Sequence, residues 1–275
     1  FSLIVAAVLC LSVIPMLSFV LQSLIRVQGD YSLANLTLDF WIGAPGNAND
    51  IADKAGILVN PSVWLGLLNS LKLGLVASLG AGTAGFLAGY AIVRRRGSRL
   101  SSFVENLTFI PYLIPSMAFS AIYLSMFAVQ RGPIPALYGT FGLLAIIGCV
   151  KYMPMASRSG VNSMLQISNE IEEAAIIQDI PWTKRMFRII IPIQKSAIIS
   201  GYMLPFMTCL RELSLFLLLC TQGFILSTTL DYFDEMGLYA FSSAINLILI
   251  VTILIFNTLV NKLTGASLDD GIGGN

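Results

Sequence analysis

Six stretches of this chain are apolar over about the length, some 20 residues as a helix, that crosses the roughly 30 Å hydrocarbon core of a bilayer. They cover about 3–25, 63–93, 103–127, 137–153, 198–220 and 239–260. Backbone placed in lipid must satisfy its own polar groups, which leaves helices and closed barrels, and runs this long predict helices. The expected fold is therefore all-α, a polytopic membrane protein with about six transmembrane helices. It forms one domain over 1–265, followed by a disordered Asp- and Gly-rich tail over 266–275. Composition agrees, with 56% hydrophobic and 11% charged residues and a mean hydropathy of +0.81, where a soluble domain carries about a quarter charged residues.

The few charges inform by position. A net charge of +1 argues against nucleic acid as a partner, since that needs a clustered basic surface. Arg94, Arg95, Arg96 and Arg99 follow the second window, Arg158, Lys184, Arg185, Arg188 and Lys195 follow the fourth, and Lys262 follows the sixth. The other inter-window segments hold Arg26, Lys54 and Arg131 together with most of the aspartates. By the positive-inside rule, the loops after windows two and four and both termini are expected in the cytoplasm. The segment from Arg26 to Ser62, rich in Asn, Asp, Gly and Pro, is then an external surface loop. The first window lacks a basic lead-in and is read as a retained span. A start at Phe1 rather than Met is read as the mark of a second half or a processed piece.

Catalytic chemistry finds little to work with. There is no histidine, the commonest metal ligand and proton shuttle. Cys10, Cys149, Cys209 and Cys220 all sit in apolar runs without CxxC spacing, so neither a metal centre nor a disulfide frame is expected. None of the six lysines follows a glycine, as a phosphate-binding P-loop requires. The expectation is no catalytic residue, no metal and no cofactor in this chain.

Within the windows, Ala77, Ala81, Gly85 and Gly89 recur every four residues, a smooth helix face for close packing against another span or a second subunit. Pro111, Pro115 and Pro205 are expected to kink or split their helices. Lys72, Arg211 and Glu212 lie roughly 13–15 Å from the outer end of their windows at 1.5 Å per residue. Charges at such depth are a functional hypothesis by default, so these three are candidates for a translocation pathway or an intramembrane charge network. One scheme pairs Glu212 with Lys72 and turns Arg211 toward an anionic substrate or a ferric chelate. Lys151 is expected to snorkel.

The loop over 157–195 is the longest polar stretch between two windows. Asn169 followed three residues later by Glu172 reads as a capping box, and Glu170, Glu172 and Glu173 complement a helix dipole. Asp179 and Ile180 interrupt, and Pro181 suits the first turn of a second helix, whose apolar side carries Phe187, Ile190 and Ile191. A helix-turn-helix hairpin results. Its spacing, Glu173-Ala174-Ala175, three residues, Asp179, nine residues, then Ile189, Ile190, Ile191 and Pro192, resembles the E-A-A loop of the membrane permeases of binding-protein-dependent ABC importers. Asp179 stands where that family has Gly, and Ile191 where it has Leu. Because a turn with positive φ prefers Gly, then Asn and Asp, position 179 is where the hairpin's geometry is most in question.

The resemblance extends to "NSLKLGLVASLGAGTAGFLAGYAIVRRRG" (Asn69 to Gly97), "FIPYLIPS" (Phe109 to Ser116) and "RELSLFLLL" (Arg211 to Leu219), and is strongest to the ferric-iron permease subfamily. It implies a type I importer fold in a bacterial inner membrane, with the hairpin coupling to a cytoplasmic ABC ATPase dimer that holds the ATP and Mg2+. It also implies a second permease half or subunit and an external or periplasmic solute-binding protein. Glu173, Ala174, Ala175, Asp179, Ile189, Ile191 and Pro192 are the ATPase-coupling residues by this likeness. Ferric iron or a ferric chelate is the implied cargo. Phosphonates, sugar phosphates, polyamines or thiamine remain alternatives, as does a transporter driven by an ion gradient.

Overall fold

The computed structural model describes residues 2–43, 55–220 and 223–264, so the expected tail over 266–275 lies outside the described residues. In chain order the α-helices are α1 (Ser2–Gln22), α2 (Asp39–Ile42), α3 (Pro61–Arg94), α4 (Arg99–Leu113), α5 (Ser116–Phe127), α6 (Phe141–Leu165), α7 (Asn169–Ile177), α8 (Trp182–Arg185), α9 (Ile191–Ile193), α10 (Lys195–Arg211), α11 (Leu226–Glu235) and α12 (Tyr239–Thr264). A π turn over Met186–Ile190 joins α8 to α9. No strand is present among the described residues. Among the described residues, two unbroken helices, Pro61–Arg94 and Tyr239–Lys262, are long and apolar enough to cross a bilayer, and up to four spans result if each of two sharply bent pairs is one span.

The chain divides into two compact units. One is drawn from Phe1–Ser70 and Thr221–Leu254. In it the segment expected to be a plain loop is partly structured. Ile25 and Leu36 form a bridge, Arg26 pairs with Asp39 at 2.9 Å, and Phe40 packs edge-on against Phe241. Asn69 Nδ2 donates to the Phe224 carbonyl at 2.9 Å and Ser70 Oγ accepts from Leu226 N at 2.8 Å, so the start of α11 is held by side chains of α3.

The other unit is drawn from Leu71–Cys220 and Ile255–Asn275. The small-residue face of α3 is used inside it. Ala77 and Ala81 are fully buried, a Cβ at Gly85 would meet the backbone of Ala156 and Ser157, and one at Gly89 would meet Gly160 and Val161. In return, a Cβ at Gly160 would meet Gly85 and Phe86. Thus α3 and α6 pack backbone to backbone, and the stripe serves a neighbouring span of the same chain.

The third window is split, α4 meeting α5 at 101°. Pro115 has no N–H to give the Pro111 carbonyl one turn earlier, and Pro115 itself becomes the N-cap of α5. The vacancy is filled from α6. Lys151 Nζ donates to Pro111 O at 3.1 Å and to Ile114 O at 2.6 Å, and lies 5.4 Å from the centre of the Phe119 ring. The expected snorkelling of Lys151 is thus replaced by a cation seated on the carbonyl end of α4, where the helix dipole favours it. The fifth window also stops short: α10 ends at Arg211, and residues 212–220 turn irregularly. That backbone is buried in protein, with Leu215, Phe216 and Leu219 fully buried and Ser120 Oγ of α5 donating to Leu215 O at 2.5 Å.

Replacing Lys151 by Met keeps the apolar stem and leaves two carbonyls without their donor. The expected cost is about 2–6 kcal/mol at about 1–3 kcal/mol per buried unsatisfied group, read as a lower thermal midpoint of the detergent-solubilised protein, with Lys151→Arg keeping part of the loss at bay. An unchanged midpoint in Lys151→Met would show that the bend does not depend on this cation.

Candidate functional site: the hairpin over Asn169–Ile193

The hairpin begins three residues after α6. Ser168 is the N-cap of α7, its Oγ accepting from Glu170 N at 3.2 Å, so the expected Asn169–Glu172 capping box is not formed. Both residues are engaged elsewhere. The Asn169 side chain accepts from Arg94, and Glu172 turns inward.

At the far end of α7 the chain closes in a Schellman motif. Asp179 N donates to Ile176 O at 2.9 Å and Ile180 N to Ala175 O at 3.0 Å, the paired bonds that satisfy the last carbonyls of a helix. Such a motif needs a left-handed residue, and Asp179 has φ of 53°, alone among the described non-glycine residues. Asp tolerates this region better than most residues, though less well than Gly. Arg185 Nη1 then donates to Ile180 O at 2.9 Å, fixing the turn from the other side.

Pro181 caps α8 from just outside rather than lying in its first turn. Four residues on, the chain widens into the π turn, where Ile191 N reaches back to Met186 O. Pro192 follows, and a proline can neither donate to the carbonyl four residues earlier nor tolerate it closely, so the wider turn suits the place. Met186 and Ile190 are buried in an apolar cluster with Phe86 of α3, Met164 of α6 and Ile167, and Tyr90, Val93, Ile191 and Ile198 pack around it. Phe187, expected on that apolar side, is instead 67% exposed.

Glu172 is 8% exposed. Its carboxylate lies 2.7 Å from Arg94 Nε and 3.7 Å from Arg185 Nε, and accepts the hydroxyl of Tyr90. Tyr90 in turn meets Trp182 edge-on at 6.2 Å. Two residues of α3 and one of α8 therefore converge on one carboxylate of α7. A cleft of about 510 Å3 opens beside them, lined among others by Arg95, Leu100, Glu173 and Ile176.

The residues singled out from the sequence fall as follows. Ala175 is buried beside Glu172 on the inner face of α7, whereas Glu173 and Ala174 are exposed; Ile189 and Ile191 are half-buried, and Asp179 and Pro192 are exposed. Ile176 and Ile177 are 51% and 83% exposed, so the outer surface of the hairpin is apolar as well as acidic. Among the intramembrane charges, Lys72 and Arg211 are exposed, and Glu212 accepts from Leu215 N at 3.2 Å. Ion pairs form between Arg26 and Asp39, Arg94 and Glu172, and Arg185 and Glu172. A cavity of about 710 Å3 on α4 and α6 is lined instead by Glu105, Asn106, Thr108, Arg158 and Asn162 with apolar neighbours. Sequence reasoning passed over Tyr90, Arg94, Arg185 and the inward role of Glu172.

Residues 81–266 match the model of the family described as binding-protein-dependent transport system inner membrane component. The chain belongs to this family. It is an ABC importer permease, a membrane component whose family is not itself enzymatic. The permease is 22% identical over 259 residues to the ferric transport system permease protein FbpB of Actinobacillus pleuropneumoniae, covering 90% of this chain and 36% of that one. It is 23% identical over 224 residues to the "Probable sulfate transport system permease protein cysT" of Prototheca wickerhamii, covering 76% of this chain and 86% of that one. The permease thus spans about a third of the length of the ferric relative. Among solved structures, a bacterial ABC transporter involved in import of the acidic polysaccharide alginate matches with a TM-score of 0.66 at 14% identity, over 95% of this chain and 96% of that one. The MetNI methionine ABC transporter, in inward-facing conformations, matches with a TM-score of 0.63 at 15% identity, over 75% of this chain and 98% of that one. These likenesses establish the fold.

The left-handed turn gives a direct expectation. Asp179→Gly relieves the strain at φ of 53° and should stabilise the solubilised permease by roughly 0.5–1 kcal/mol, while a β-branched Asp179→Val should destabilise it by about 1–2 kcal/mol. Thermal unfolding of the three proteins side by side checks the order Gly, Asp, Val.

Proposed function

We propose that this permease imports ferric iron or a ferric chelate by alternating access. It does so together with a second six-span unit, a cytoplasmic ABC ATPase dimer docked on the hairpin and an external solute-binding protein. The observation that carries the reading is the division of labour within the hairpin. Its inner face is anchored by Glu172, Ala175, Met186 and Ile190, all buried, while Glu173, Ile177 and Phe187 are exposed. A short helix pair that leaves large apolar side chains uncovered beside an acidic one has the make-up of a docking surface. Glu173 would pair with a basic residue of the ATPase, and Ile177 and Phe187 would fill apolar pockets. The basic loops support a cytoplasmic position for this end of the protein and for both termini, where ATP is available.

The cargo reading rests on the ferric relative, which covers 90% of this chain. A sulfate cargo is the second reading, because the relative named for sulfate transport is matched over 86% of its own length. In this scheme the polar-lined cavity of Glu105, Asn106, Arg158 and Asn162, which lies toward the basic loops, is on the cytoplasmic exit side of the path of either cargo.

Two measurements decide these points. Extraction of the native assembly in mild detergent should bring an ABC ATPase with the permease, and Glu173→Arg should release it while leaving the thermal midpoint of the permease unchanged, since Glu173 is exposed. An assembly with no ATPase, or one indifferent to Glu173→Arg, contradicts the docking. Uptake of radioactive ferric iron by cells with and without the permease should differ severalfold; a difference seen with radioactive sulfate alone would transfer the assignment to sulfate.

A further inference from the structure

The hairpin is attached to the rest of its unit by two bends. On one side a three-residue link, Gln166 to Ser168, separates α6 from α7. On the other, the α8–α9 segment meets α10 at 82° about Gln194. A helix pair hung on two bends can swing without moving the spans. Two sets of contacts oppose this. The apolar cluster of Phe86, Met164, Ile167, Met186 and Ile190 holds the second helix, but apolar contact is non-directional and tolerates sliding. The carboxylate of Glu172 is different in kind. It is buried, it lies within ion-pair distance of Arg94 and Arg185, and it accepts the hydroxyl of Tyr90, a hydrogen bond to an ionised group that is strong and geometrically demanding. Swinging α7 away from α3 would strand a buried charge, which is costly.

We infer that Glu172 is a positioning residue that locks the hairpin to the end of α3, so that a displacement imposed on the hairpin is delivered to that span as rigid-body motion. The residue does not touch an ATPase or a cargo; it makes the surface that does so mechanically continuous with the membrane-spanning helix. The lock joins three elements at one atom group: Arg94 is the last residue of α3, Arg185 the last of α8, and Glu172 lies in the first turn of α7. Arg185 also holds the Asp179–Ile180 turn through the Ile180 carbonyl, which ties the far end of α7 to the same group. This inference rests on the proposed docking of an ATPase, which supplies the displacement.

The test uses the purified assembly with its ATPase in nanodiscs, with the four native cysteines replaced by Ala. Nitroxide labels go on cysteines at Glu170 on the hairpin and Leu87 on α3, both exposed. Their spacing is read by pulsed electron paramagnetic resonance without nucleotide and with Mg-ATP plus vanadate. With Glu172 present, the spacing should hold to about 1–2 Å between the two states, the scale of small helix shifts. In Glu172→Gln, which keeps the shape and loses the charge, the spacing should change or broaden by about 5 Å or more, the scale of a one-turn slip. Glu172→Asp, which keeps the charge, should behave as the unaltered protein, an outcome that a purely space-filling role would not produce. If Glu172→Gln prevents assembly, Arg94→Met with Arg185→Met removes the same attraction from the other side and should loosen the same spacing. A spacing that changes with nucleotide in the unaltered protein, or one that stays fixed in both sets of variants, overturns the inference. Absence of any ATPase from the unaltered assembly would instead remove the proposed function, and that is established by composition before any spacing is measured.

Discussion

A carboxylate withdrawn from water has to be paired, and the arrangement of this permease's hairpin follows from where Glu172 finds its partners. Those partners lie on α3 and α8, so the need to neutralise one charge draws the hairpin's first helix against the end of a 34-residue helix and the hairpin's second helix against the first. The apolar cluster around Met186 and Ile190 adds affinity and the charged group adds direction. Together they leave Glu173, Ile177 and Phe187 facing outward, and that outward face is the part of the chain best suited to a partner.

The same rule, that buried polar groups must be satisfied, governs the membrane part. At the α4–α5 bend a proline removes one donor and Lys151 replaces it. Past Arg211 the chain leaves the helix, and Ser120 together with local turns takes over the carbonyls. Each irregularity sits where another element of the same unit can reach it, which is the condition under which non-helical backbone is tolerated at membrane depth. The glycines of α3 serve a related purpose, since only their absence of a Cβ lets α6 come close enough to bury both helices' backbones.

Much of this was legible in the sequence where the cause is local. The four-residue repeat of Ala77, Ala81, Gly85 and Gly89 announces a close contact, although it does not say with which helix. That Asp179 stands where the resembled family has Gly raised the question of a left-handed turn, and the φ of 53° there answers it. The family, too, was readable from the Glu173 to Pro192 pattern. What escaped is whatever depends on residues far apart in the chain. Glu172 looked like half of a capping box because its neighbours invite that reading; its actual partners, Tyr90 and Arg94, are brought up by the packing of α3. Lys151 looked like a snorkelling cation because hydropathy cannot show that a proline on another helix has left a carbonyl open. Phe187 was expected on the buried side beside Ile190 and Ile191, but Met186, one turn before Ile190, fills that place and Phe187 is exposed.

The central claim, that the hairpin is a docking surface locked to α3 through Glu172, is met most directly by an electron-cryomicroscopy structure of the intact assembly with its ATPase. The account predicts Glu173 and Phe187 seated against the ATPase while the carboxylate of Glu172 remains between Arg94 and Arg185. An ATPase bound elsewhere, or a docked hairpin with Glu172 released from both arginines, would contradict it.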